Sequence, residues 1–359
     1  MPTLEAKSPN PADTINGRVK GQRFRGSVNL VALSALVLIV VAKRASLTRS
    51  IDHLGHARWP WIPFTVAFEL VSMATFALMQ RQLLGSGGKR VGRRRIMATT
   101  FAANALSVSV PVAGPELGTA FLYRHFKRLG ADTPLASWTL LVGGLVSSVG
   151  VVVVVALAGV LSGNTFVIGA AIAAGLLAVA ASAILRAALR RARLPPRVEG
   201  GAAWLVERIS RWKSRPGDDP RKTIRHWLHG LDALHLSWLQ WFKVGGYGIT
   251  NWLADAGVLA ISIVAVGAVV PWRTLLLVYI LATVVSSVGI TPGGIGVVEG
   301  TLCVGLVSTG VPAALALAAV LLYRLVSFWL VMAVGWLVFF YLRRERLVES
   351  QPLQEGAPS

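Results

Sequence analysis

The stretch Thr291-Pro-Gly-Gly-Ile-Gly-Val-Val-Glu299-Gly300 sets the strongest constraint on how this chain folds. It interrupts a long apolar region with one proline, four glycines and a carboxylate. Pro292 removes a backbone donor, and the glycines allow backbone shapes that a helix does not use. Backbone that is not helical survives at membrane depth only where it is packed inside protein or lines a wet cavity. An acid in such a place is a functional candidate. The segment therefore predicts part of a polar site, or a gate, within a membrane protein.

Composition supports a membrane setting. Of the 359 residues 54% are hydrophobic, and the mean hydropathy is +0.61. Apolar runs fall near 27–42, 58–80, 96–112, 134–161, 165–185, 244–268, 271–290, 296–311 and 313–341, and several are long enough to span a bilayer. The net charge is +20 although only 14% of residues are charged, so the excess sits outside the apolar runs. That pattern reads as positive-inside topology and attraction to anionic lipid, with no nucleic-acid partner. With Cys303 as the single cysteine, neither an intrachain disulfide nor a cysteine-based zinc site can form. His53/His56 and His226/His229 have helical spacing but no accompanying carboxylates, so no metal and no cofactor is expected.

The arginines orient the chain. Residues 81–95 hold Arg81, Lys89, Arg90, Arg93, Arg94 and Arg95 without an acid, and 186–227 is also strongly basic. Both belong on the cytoplasmic side. Arg124, Lys127 and Arg128 read the same way. Residues 96–123 must then enter and leave on one side, and Asn104, Pro111, Gly114, Pro115, Glu116 and Gly118 would break a helix there. A re-entrant hairpin is the economical solution. The expected fold class is all-α, a polytopic integral membrane helix bundle of about eight crossings plus that hairpin, with both termini cytoplasmic. Residues 1–26 form a polar N-terminus, 27–342 the membrane domain and 343–359 a cytoplasmic tail. Within the domain, 186–243 is a basic loop followed by a Trp-rich amphipathic helix (224–243) suited to the inner membrane surface. Pro111…Glu116 and Pro292…Glu299 lie about 180 positions apart, each after a helix pair, which predicts an internal repeat, parallel on this topology.

Few charges stand inside the apolar runs: Glu69, Glu116, Asp255, Glu299 and Arg324. Arg324 needs a partner, because an isolated arginine at mid-membrane costs at least about 2.5 kcal/mol. Glu299 or Asp255 would supply a structural pair. Alternatively the guanidinium receives a lipid phosphate, whose geometry it matches. Asn251 and Asp255 share a helix face and could line the same cavity. Tyr123-Arg124 echoes Tyr323-Arg324. There is no P-loop, nucleophile elbow or H-E-x-x-H motif, so no enzyme is expected.

Pro292-Gly-Gly-Ile-Gly-Val-Val-Glu299 resembles the signature of the lysylphosphatidylglycerol synthase transmembrane-region family, which includes the flippase-like domain of the bacterial multiple peptide resistance factor. Asn104 through Pro111 to Glu116-Leu-Gly, with Ala120-Phe-Leu-Tyr-Arg124, resembles its first-half motif, and Tyr323-Arg324-Leu its Tyr-Arg. The likeness spans about residues 27–342. The first motif departs from the family pattern at Pro111-Val-Ala-Gly-Pro-Glu116. No aminoacyl-transfer domain follows the membrane part in these 359 residues, so synthesis of lysyl-phosphatidylglycerol by this chain is not expected. The resemblance implies movement of a lipid or lipid-linked sugar across the plasma (inner) membrane, often beside a separate transferase. The expected partner is an anionic or polyprenyl-linked lipid, bound by Arg324, Glu299, Glu116, Arg124, Asn104 and Asp255. Pro292, Gly293, Gly294, Gly296 and Pro111 would shape or gate the site. The alternative is an accessory subunit that anchors a membrane or cytoplasmic glycosyltransferase or a lipid-modifying enzyme.

Overall fold

The computed structural model of the chain describes residues 58–110, 113–176, 236–287 and 291–349. The expectations for 1–26, the first apolar run, Pro111, the basic loop and residues 350–359 lie outside these. The described residues are helical, with no strand among them. Four helices are long and apolar enough to cross a membrane, covering Trp59–Ser86, Thr133–Ser162, Trp238–Ala265 and Ala313–Arg344.

In chain order, α1 (Ile62–Ser86) follows a 3-10 turn, and its Pro63 sits in the first helical turn, where no backbone donor is needed. Next come α2 (Arg93–Ser109) and α3 (Gly114–Arg128). The long α4 (Thr133–Ser162) is capped by Asp132, which accepts from Leu135 N at 2.9 Å, and ends at left-handed Gly163. Then follow the short α5 (Thr165–Leu176) and the long α6 (Trp238–Ala265). Two 12-residue helices come next, α7 (Leu275–Ser286) and α8 (Val297–Ser308). The final helix starts as α9 (Ala313–Arg324), passes through a π-helical stretch (Leu325–Leu330) and continues as α10 (Val331–Glu349).

The amphipathic reading of 224–243 is corrected where it can be seen. Ser237 is an extended N-cap, and its reciprocal bonds with Gln240 start α6 at Trp238. Trp238, Leu239 and Phe242 thus belong to the first turns of a long helix, with their side chains exposed. Residues 271–290 and 296–311, expected as crossings, contain α7 and α8. Each is about 18 Å long at about 1.5 Å per residue, well short of a hydrocarbon core of about 30 Å.

Both short pairs are helical hairpins. In the first, Gly114 and Gly118 let α3 lie directly on α2. A Cβ on Gly118 would overlap Ser107 Oγ, and one on Gly114 would overlap the Ser107 carbonyl. The feet of α2 and α3 share one basic end: Arg90, Arg95, Arg128 and Gly130 border one small recess there. Arg81 Nε donates to the Val91 carbonyl at 2.7 Å, and Lys127 Nζ to Thr133 Oγ1 at 3.1 Å. In the second hairpin α7 and α8 pack side by side, with Val278 against Gly305.

The contacts of the long helices fix their directions, and α4 and α6 run the same way, with Val146 beside Val244 and Val154 beside Ala256. Arg58 N donates to the Ala265 carbonyl at 2.8 Å, while Met79 and Leu83 pack with Val244. Hence α1 and α6 are antiparallel, with the start of α6 at the basic end. The feet of α7 and α8 join the far end, where Val266, Val270, Leu275, Leu306 and Val311 share a core with the second half of α6. The two hairpins therefore point toward each other from opposite ends. A long helix, a short hairpin and a long helix occur twice, the second time in the reverse direction. The parallel arrangement expected from the arginine pattern does not hold for these elements.

Candidate functional site

The two hairpin tips meet at a cavity of about 580 Å³. Ser107, Val108, Val110, Pro115 and Glu116 come from the first. Thr283, Ser286, Ser287, Thr291, Gly293 and Gly294 come from the second. Trp252 and Asp255 on α6, and Tyr323 and Arg324 on α9, complete the polar wall.

The Pro-Gly-Gly-x-Gly-x-x-Glu stretch builds the second tip. Gly293, Gly294 and Gly296 all have positive φ, at 56°, 69° and 83°, a region that L side chains rarely occupy. Space is closed as well. A Cβ on Gly293 would overlap the Phe328 ring, and one on Gly294 would lie 2.7 Å from Val298 Cγ2. Gly296 then starts α8, and its N–H donates to Glu299 Oε2 at 2.6 Å. The carboxylate thus holds the helix start, where the dipole also favours it.

Glu299 has a second task. Arg324 Nε donates to Glu299 Oε1 at 2.7 Å, and Arg324 Nη2 donates to the Gly293 carbonyl at 2.8 Å. The guanidinium stands 4.2 Å from the centre of the Phe328 ring. Arg324 is only 8% exposed, so this set of partners is what keeps a buried cation tolerable. The π-helical stretch begins directly after Arg324 and includes Phe328.

Asp255 holds a separate polar node. Its Oδ2 accepts from Tyr279 Oη at 2.6 Å and from Tyr323 Oη at 3.2 Å. Tyr279 was missed in the sequence, since one tyrosine in an apolar run gives no signal until a partner is known. The structure thus gathers Arg324, Asp255, Gly293 and Gly294 around one cavity, with Glu116 exposed at its rim, while Glu299 stands behind the wall and holds Arg324. Gly296 anchors that wall from α8. Pro292 opens the turn, and Pro111 lies outside the described residues.

Other expected residues sit elsewhere. Arg124 is exposed on α3, and neither it nor Asn104 lines the cavity. Asn251 pins α6 to α1, donating to the Ser72 carbonyl at 3.1 Å and to its Oγ at 2.8 Å. Tyr123 packs in the cluster around Leu122 and Phe126, so the Tyr-Arg echo does not extend to geometry. No group of three potential metal-ligating acids, histidines or cysteines occurs among the described residues.

A helical membrane protein with a charged cavity between two opposed short hairpins is the class that fold and site define. The chain matches the model of the family "Lysylphosphatidylglycerol synthase TM region" over residues 29–335. It belongs to that family. It is similar to a UPF0104 membrane protein of Methanothermobacter thermautotrophicus, 23% identical over 323 residues, covering 86% of this chain and 91% of the relative. A second match, also to a UPF0104 membrane protein of that organism, is 31% identical over 87 residues, 24% of this chain and 26% of the relative.

Proposed function

We propose that this protein translocates an anionic lipid, or a polyprenyl-phosphate-linked glycan, across the plasma membrane by admitting its headgroup to the cavity between the hairpins. One observation carries the reading: a nearly buried arginine, with polar groups from both broken segments, faces about 580 Å³ of space at the hairpin tips. That volume lies in the range of small-molecule sites, about 300–1,000 Å³.

Arg324 is the phosphate ligand. Its guanidinium carries five N–H donors. The bonds to Glu299 and Gly293 engage Nε and Nη2, which leaves donors for a ligand in the cavity that Arg324 lines. Thr291 Oγ1, buried without a hydrogen-bond partner among the described residues, is a further donor on the same wall. Glu116 at the rim suits an amine or hydroxyl of the headgroup. Arg124 and Asn104 belong to the first hairpin, whose basic end draws anionic lipid toward the membrane surface.

Both hairpins are read as re-entrant, from opposite faces, and the two reversed units as an inverted repeat of the kind that places transport sites near mid-membrane. On this reading the basic ends of α1 to α4 face the cytoplasm, and both termini are assigned to that side by the charge rule. The chain acts as a transporter, not an enzyme.

The test is scrambling of headgroup-labelled lipids by the purified protein in liposomes, with phosphatidylglycerol and polyprenyl-phosphate probes. Protein-dependent movement that Arg324→Gln abolishes is expected. Absence of movement with every probe, alongside co-purification of a glycosyltransferase or lipid-modifying enzyme, would replace this reading with that of an accessory subunit.

A further inference from the structure

Glu69 has no part in the cavity described above, yet it is the least accessible acid among the residues named. It stands on α1, is 4% exposed, and its Oε2 has no hydrogen-bond partner among the described residues. Its surroundings make that odd. α1 and α6 pack antiparallel, with Asn251 bonded to Ser72 and Gly257 against the Phe68 ring, a register that sets Glu69 across from the turn of α6 that carries Asp255. Asp255 already accepts from two tyrosine hydroxyls. Nature rarely leaves a buried carboxyl oxygen unpaired, because desolvation without compensation is costly.

With both carboxyls ionised, the charges around the pair would not balance. Facing it are Tyr279 on α7, Tyr323 and Arg324 on α9 and, one step further, Glu299 on α8. The guanidinium is engaged directly by Glu299. α4, which also packs on α1, contains no ionisable side chain, and α2 carries its three arginines in its first turn at the basic end. Two carboxyls thus remain for which the described residues offer no second cation.

A small cation must make up the difference, and the ligand supply selects which. A metal ion needs a shell of several oxygens, whereas this pair shares its acceptor sites with two tyrosines, and no three-residue metal cluster is present among the described residues. A proton needs only two oxygens. We propose that Glu69 and Asp255 hold one proton between them, and that this proton moves with the lipid headgroup. The second clause rests on the translocase reading; the first does not. In the binding step one H⁺ from water joins a carboxylate oxygen of the pair to give a carboxylic acid beside the other carboxylate, and no carbon–oxygen bond is broken. The sign of the coupling follows. An anionic headgroup at Arg324 draws on the positive charge that Asp255 also senses. Headgroup and proton therefore favour each other's binding, by equal factors in both directions.

The experiment uses the full chain in proteoliposomes and reads protonation directly. Infrared pH titration of the wild type, without substrate, is expected to show a buried carboxylic C=O band that disappears at alkaline pH. Glu69→Gln and Asp255→Asn should each abolish that transition. Adding phosphatidylglycerol to a weakly buffered sample should draw up to about one proton per chain from solution, and neither variant should do so. No titrating band in the wild type, an unchanged band in both variants, or a transition that follows sodium at fixed pH would overturn the pair. The wild-type titration stands even if a variant does not fold. A titrating pair in a protein that moves no lipid would sink the translocase reading and leave the proton site.

Discussion

Removal of Glu299 is the perturbation whose cost the geometry fixes best. Its carboxylate holds Arg324 at 2.7 Å and the Gly296 N–H at 2.6 Å. Breaking a buried ion pair from one side costs about 3–5 kcal/mol, because the remaining charge is left unpaired. The Glu299 side chain is 20% exposed against 9% for Arg324, so water reaches part of the pair, and the lower figure of about 3 kcal/mol applies. Loss of the carboxylate at the start of α8 adds about 1 kcal/mol. Glu299→Ala should therefore cost about 4 kcal/mol. Arg324→Met loses the same pair, together with the Gly293 carbonyl bond and the Phe328 contact, and should cost a similar amount. In the double variant no unpaired charge remains buried. Its loss should be no larger than that of Glu299→Ala alone, which gives a coupling of about 3 kcal/mol or more. Unfolding by denaturant titration in mixed micelles, run on all four proteins, measures this cycle. Losses that add within about 0.5 kcal/mol would show that the two side chains are energetically independent, and the argument that Arg324 is held in place by Glu299 would fail.

Gly293→Ala places a Cβ at φ 56° and into the Phe328 ring. Backbone strain alone should cost about 1–3 kcal/mol, and headgroup scrambling should fall with it; a variant of wild-type stability would mean that the tip relaxes freely. Gly118→Val forces α3 away from the Ser107 side chain and the Ala103 carbonyl. Overpacking there should cost about 1–3 kcal/mol, read as a lower midpoint in thermal unfolding. Single cysteines at Lys89 and Asn164, in a Cys303→Ser background, should react with an impermeant thiol reagent from opposite faces of the membrane. Labelling from the same face would refute the direction assigned to α4.

The sequence was legible where chemistry forces a residue type. A proline and glycines inside an apolar run, an arginine in a long helix and a carboxylate beside it admit few structural solutions. Arg324, Glu299 and the positive-φ glycines follow from that scarcity. Helix lengths were less legible. Residues 275–286 and 297–308 are apolar throughout, and apolar composition alone does not separate a crossing from a leg that turns back. What shortens them is the break at the tip together with the turns at Gly267 and Gly310, both at positive φ. Direction was the hardest to read. The charge rule orients basic segments, but the second hairpin has almost none, and only pairings such as Arg58 with Ala265 reveal which end it starts from. Arg124 misled for a related reason. Its Tyr-Arg context copies that of Tyr323-Arg324, while helical spacing from Glu116 carries it toward the basic foot of α3.

The lengths of the hairpin legs explain why the charged groups gather at the tips. On the topology proposed above, α7 and α8 reach about 18 Å from one face, and α2 and α3 about 22–25 Å from the other. Together these exceed a core of about 30 Å, so the tips cannot stop short of each other. They must meet and pass side by side. Each tip brings helix ends whose backbone groups lack partners within their own helix, and at that depth lipid offers none. Some of the satisfaction is seen directly: Arg324 takes the Gly293 carbonyl, and Glu299 takes the Gly296 N–H. What remains open on the same wall among the described residues, including Thr291 Oγ1, offers partners to water or to the polar head of a ligand. On that topology the need to terminate four short helices near mid-membrane generates a wet, charged cavity there, and the proposed phosphate-bearing headgroup would find in it the donors that the bilayer around it lacks.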